Sequence, residues 1–298
     1  TGIAKPSWVQ GTMPSNKYWC SVCYGDGKFV AVVRGSNIAA YSTDGITWTQ
    51  STLPASAGWY SVCYGNGKFV TVANNSNIAA YSTDGINWTQ TTMPGSRNWN
   101  SVCYGNGKFV AVCSGALLPA YSTDGITWTS TRMPVSADWH SVCYGNGKFV
   151  AVTSSMSNVA AYSTDGINWT QTTLPVSVNW NSVCYGDGKF VVVAHSENKD
   201  YMPTYIAAYS TDGINWTQTS IGQSKARSSV CYGNGKFVVM NSTNNIAEYS
   251  TNGINWTKTT LPVKANWMSV CYGNGKFVAV AYNNSIAAYL KDSFDEWA

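Results

Sequence analysis

Along this chain, apolar and polar residues change places in short bursts of four or five, and no stretch sustains a helical period. Between Ser61 and Pro94 the pattern predicts four strands. Residues 61–64 and 69–72 flank Gly-Asn-Gly-Lys, the chemistry of a tight hairpin that needs positive φ. A polar link, 73–77, leads to a third strand at 78–81. A turn at 82–88 leads to a fourth that runs from Trp88 to Met93, where Pro94 ends the ladder.

The unit recurs. Ser-Val-Cys-Tyr-Gly begins at Ser21, Ser61, Ser101, Ser141, Ser182, Ser229 and Ser269, at spacings of 40, 40, 40, 41, 47 and 40. A fixed period in this range signals a solenoid, propeller or array. Four antiparallel strands per period, on units too thin to bury their own faces, predict an all-β fold: a seven-bladed β-propeller of four-stranded blades. The last unit stops before its fourth strand, while residues 8–14 (WVQGTMP) align with residues 48–54 (WTQSTLP). An N-terminal strand at about 7–14 is therefore expected to complete the last blade, about 269–292, and close one domain spanning 1–298.

The turn Ser-Thr-Asp-Gly-Ile-Thr-Trp (residues 42–48) returns at Ser82, Ser122, Ser163 and Ser210. It reads Ser-Thr-Asn-Gly-Ile-Asn-Trp at Ser250 and has decayed at 290–297. It resembles the Asp-box, the Ser-x-Asp-x-Gly-x-x-Trp turn of sialidase-like (BNR) propellers, with one residue fewer between Asp and Gly. The resemblance implies that Asp44, Asp84, Asp124, Asp165, Asp212 and Asn252 sit between third and fourth strands, away from the family's catalytic site. Asn252 keeps a turn-forming acceptor without the charge, which a turn tolerates and a catalytic carboxylate does not.

The chemistry of sialidases is not evident. Their substrate carboxylate is held by three arginines, and this chain's four (Arg34, Arg97, Arg132, Arg227) fall outside the strand positions expected for a buried triad. No facing carboxylate pair can be nominated, although Glu248 is odd in replacing a strand alanine. His140 and His195 lie in different links and form no metal-ligand cluster. Gly-Asn-Gly-Lys leads into a strand and not a phosphate-cradling helix. The expectation is no enzyme, no catalytic residue, no metal and no cofactor.

Composition narrows the setting. A net charge of +4 over 298 residues implies no strong field for nucleic acid. No apolar run is long enough for a membrane helix, and residues 1–11 show no signal-peptide core. The expected context is an excised domain of a longer protein, such as a phage-tail or adhesin domain. Seven of nine cysteines repeat one strand position. They read as free thiols used as small core residues, and Cys20 and Cys23 are expected on opposite faces of their strand. The repeated lysines beside the hairpins read as charge balance for the Asp-boxes.

Differences between units concentrate in two links, those joining second to third and fourth to first strands. Alternating strand direction places both on one rim. Loops on a rigid scaffold are where binding usually lives, while copies also drift fastest where packing does not constrain them. That rim carries Trp19, Trp59, Trp99, Trp139, Trp180 and Trp267, with Arg227 in the seventh slot. Two readings apply: flat platforms for a sugar, or wedges between blades. The first makes the rim a multivalent carbohydrate-binding surface for a cell-surface or cell-wall glycan, with Arg34, Asn74, His140, His195 and Tyr205 as further contacts. The alternative is a protein-interaction scaffold using the long loop at 195–205.

Overall fold

The computed structural model describes residues 7–195, 206–222, 226–282 and 284–291, and among these there are strands and turns but no helix. The first strands are β1 (Val9–Lys17), β2 (Trp19–Gly25), β3 (Lys28–Ser42) and β4 (Thr49–Gly65). β3 carries the second and third segments of one unit. β4 runs on from the outer edge of that unit to become the inner strand of the next. Among the described residues the strand ladders are antiparallel, and β1 pairs with the strand Asn284–Lys291, from Val9↔Tyr289 to Thr12↔Ile286.

Local chemistry explains the hairpins. In the turn between β2 and β3, Asp26 has φ 44° and Gly27 φ 72°, the doubly left-handed geometry that Asn-Gly and Asp-Gly sequences favour. The same pair of positive angles recurs at Asn66, Asn106, Asn146, Asp187, Asn234 and Asn274 with their glycines.

Phe29–Val33 of β3 is buried at every position, so both of its faces are covered. The cover is the adjacent unit. Val30, Val32 and Ala39 pack with Trp59, Val62 and Phe69 of the next repeat, and Val278, Val280 and Ala287 of the last repeat pack with Trp19, Val22 and Phe29 of the first. The core thus lies between units, which is why no unit could stand alone.

Two polar-to-steric links repeat at these seams. Each repeat serine accepts a hydrogen bond from a valine N–H of the following unit: Val62 N–H to Ser21 Oγ (3.1 Å), Val102 to Ser61 (3.1 Å), Val142 to Ser101 (3.2 Å), Val183 to Ser141 (3.2 Å), Val230 to Ser182 (3.1 Å) and Val270 to Ser229 (3.2 Å). A further bond runs from Val22 N–H to Ser269 Oγ (3.1 Å), joining first repeat to last. Beside it, a Cβ added at Gly25 would lie 2.0 Å from Tyr64 Cγ, and one at Gly273 would lie 2.0 Å from Tyr24 Cγ. Glycine is required there because the neighbouring tyrosine ring lies against its backbone.

Candidate ligand-binding site

The site begins with a local irregularity. Along the β2–β3 ladder, Ser21 pairs with Val32 and Trp19 with Val33, so Cys20 is an extra residue, a β-bulge. The same shift follows Trp59, Trp99, Trp139, Trp180, Arg227 and Trp267. A bulge takes one residue out of the ladder and re-aims its side chain. Here it lets the residue before it enter the core while the bulged residue and the next serine turn to a common hollow.

That hollow is lined by the bulged residues Cys20, Tyr60, Asn100, His140, Asn181, Ser228 and Met268 together with serines such as Ser21 and Ser61. Residues from every repeat meet in it, which makes it a mouth common to the repeats. Three of its liners are fixed by the next unit: Cys20 Sγ donates to Trp59 O (3.0 Å), Asn100 Nδ2 to Trp139 O (3.0 Å) and Ser228 Oγ to Trp267 O (2.5 Å). Tyr60 and His140 meet across the mouth edge to face, with centroids 6.5 Å apart. Burial, with a further push from His195 and against the pull of Asp138, lowers the His140 pKa to about 4. Its imidazole is neutral at pH 7 and has one donor and one acceptor.

Of the residues predicted to bind, the structure brings three to this face. Exposed Arg34 stands over the Tyr60 ring, its Cζ 5.8 Å from the centroid. Asn74 Nδ2 donates to Asn100 Oδ1 (2.9 Å), and His140 lies in the mouth itself. His195 ends its strand opposite Asn179 and is near enough to His140 to act on its charge. Tyr205 and most of the 195–205 loop lie outside the described residues.

The tryptophan platform is corrected. Trp19, Trp59, Trp99, Trp139, Trp180 and Trp267 are at most 1% exposed. Each indole N–H is satisfied by the carbonyl four residues earlier, for example Trp59 Nε1 to Ala55 O (3.0 Å) and Trp180 Nε1 to Val176 O (3.1 Å). They wedge between units and offer no face to a sugar. Truncating such a side chain costs about 3–5 kcal/mol of stability, which marks them as scaffold. The glycan surface built on them loses its basis. Glu248 is also in the core, 1% exposed, against Gly222 and away from the mouth.

A second correction concerns the cysteines. Because residue 20 is bulged, alternation breaks after it, and Cys20 turns to the same side as Ser21. All nine cysteines are free. Burial pushes the Cys20 thiol up to about 12 despite the opposing Arg34 charge.

On the other rim, Asp44 Oδ1 accepts from Ile46 N–H (2.8 Å), Thr47 N–H (2.8 Å) and Ser42 Oγ (2.9 Å). Asn252 Oδ1 accepts the equivalent three, from Ile254, Asn255 and Ser250. Burial would raise the Asp84, Asp165 and Asp212 carboxyls, but these N–H and O–H donors outweigh it and hold them below the usual range. Of the repeated lysines, Lys189 lies 4.0 Å from Asp187 of its own hairpin and not beside an Asp-box carboxylate. Among the described residues no cluster of three or more His, Cys, Asp or Glu could hold a metal ion, and no helix is long and apolar enough to cross a membrane.

No family model matches the chain, and no curated protein sequence matches it. Solved structures do. A catalytically inactive virginiamycin B lyase from Staphylococcus aureus, with quinupristin, superposes with a TM-score of 0.84 at 12% identity, covering 96% of this chain and 99% of that one. A streptogramin B lyase gives 0.83 at 12% identity over 95% and 97%. YCF48 bound to D1 peptide gives 0.72 at 14% identity over 97% and 98%. At these identities the likeness establishes the fold: the chain is an all-β propeller built of repeated antiparallel sheets. It also overturns the expectation that the chain is no enzyme. That expectation rested on missing glycosidase carboxylates, and lyases run a different chemistry on this fold, so catalysis stays open.

Proposed function

We propose that the chain is a closed ring of seven blades that recognises a polypeptide segment at the bulge-lined mouth of its axis. One observation carries this reading. The bulged position holds Cys, Tyr, Asn, His, Asn, Ser and Met in successive repeats, while the five residues after it are identical in all seven. Drift alone favours exposed positions. These side chains are buried or half-buried, and several hold defined hydrogen bonds to the next blade. Variation at a constrained position that faces a common hollow suits selection for a ligand.

The mouth suits a polypeptide in chemistry. Asn100, Asn181, Ser228 and His140 offer donors and acceptors, and Met268 and Tyr60 offer apolar surface. YCF48, of the same fold, is seen with a bound peptide, which supports a protein partner. The first-to-last link at Val22 and Ser269 and the pairing of β1 with the final strand support ring closure.

The test is a peptide-display selection on the purified chain. Selected peptides are expected to bind at least about tenfold more weakly to Met268→Trp, which fills the mouth, and equally well to Lys108→Ala at the opposite hairpin rim. Peptides that bind both variants as well as the parent would sink the reading.

A further inference from the structure

One edge of this mouth carries a cluster of cations and aromatic rings. Arg34 stacks its guanidinium on Tyr60, which in turn reaches His140. On the other side of Arg34, its backbone N–H bonds to Tyr18 O (3.0 Å), and Lys17, Tyr18 and Arg34 line an adjoining hollow. Tyr18 stacks on Tyr282 with centroids 4.4 Å apart. Two cations and three aromatic rings thus form a continuous edge leading into the mouth.

The charge on this edge is unanswered. Among the described residues no carboxylate pairs with Arg34 or Lys17, and neither the mouth nor the two hollows beside Arg34 contains an Asp or Glu. Asp138, whose charge is felt by His140, has its Oδ2 engaged by the Ser155 hydroxyl. A guanidinium held by a ring keeps its fork of donors free for a second partner, and a carboxylate matches that fork in two parallel bonds.

We infer that the partner is an acidic peptide segment, whose carboxylate docks on Arg34 while a neighbouring side chain enters the mouth. This rests on the proposed polypeptide-binding reading. The path from Arg34 over Tyr60 to His140 is at most about 12 Å, three to four extended residues, so the acid and the inserted side chain stand that far apart in the partner. Two cations and a total charge of +4 suit a short acidic segment better than a nucleic-acid backbone.

The experiment uses fluorescein-labelled octaglutamate, read by anisotropy at low salt, with octalysine and a single-stranded DNA dodecamer as comparators. Saturable binding of octaglutamate is expected, weakened about tenfold or more by Arg34→Gln and unchanged by Lys108→Gln. Arg34 is exposed, so the variant should keep the parent's unfolding midpoint, and that is measured alongside. Absence of octaglutamate binding, equal loss in both variants, or tighter binding of the DNA would overturn the inference. The display selection separates the two levels. Peptides without acids that ignore Arg34→Gln but fail on Met268→Trp would remove the acidic partner and leave the mouth as the binding site. Peptides indifferent to both would remove both.

Discussion

At the scale of single residues, His140 shows how the fold sets the charge of the mouth. In the unfolded chain its imidazole takes a proton near pH 6.5, whereas in the folded protein burial delays this to about 4. Between those values the unfolded state binds more protons, so stability falls as pH drops through this window and levels off below it. His140→Asn is expected to flatten that part of the profile of thermal midpoint against pH. An unchanged slope would mean that the folded imidazole protonates freely. His140 itself was legible in the sequence as a variable-link residue, but its neutrality was not, because burial arises from neighbours such as Tyr60 two repeats away. The tryptophans failed for the related reason that composition records an aromatic ring and not what covers it. Trp59 is buried in part by the adjacent unit, by way of Val30, Val32 and Ala39.

At the scale of elements, strands and hairpins were readable because their causes are local: Asn-Gly pairs at Asn66 and its equivalents, and runs of Phe, Val and Tyr on either side. The bulge was not readable from alternation, since which residue leaves the ladder is decided by pairing with the neighbouring strand. Its trace was the lone variable letter between Trp and Ser. Outer strands offer a test of how units are tied. Thr172 Oγ1 donates to Ile214 O of the next unit (2.5 Å), Thr219 to Ile254 O (3.0 Å), and Thr91 and Thr131 bond likewise to Ile126 and Ile167. Ser51 stands in the same place, yet its buried hydroxyl has no partner. Ser51→Thr should restore the tie, because a branched side chain restricts the rotamer, and raise stability by about 0.5–1.5 kcal/mol in denaturant unfolding. No gain would mean that the hydroxyl cannot reach Ile86 O.

At the scale of the whole molecule, the seams between units carry the fold, and their serine–valine bonds return from the last repeat to the first. If the ring is closed, it has a fixed circumference. Excising residues 61–100 keeps every strand type and every remaining local turn, but it takes out Ser61 and Val62 together with one wedge of the circle. The shortened chain is expected to melt less cooperatively than the parent and to elute differently for its mass. A shortened chain that melts as cooperatively as the parent, at the same elution behaviour per mass, would argue for an open stack.

The bulges have a consequence for inheritance. A side chain outside the ladder can be exchanged by one codon without altering strand register, so the mouth's chemistry can change while the scaffold genes stay nearly uniform. Near-identical repeats also invite recombination between copies, and when two such segments trade places the fold is conserved but the order of groups around the mouth is permuted. Seven letters can thereby spell many different mouths from one set of parts.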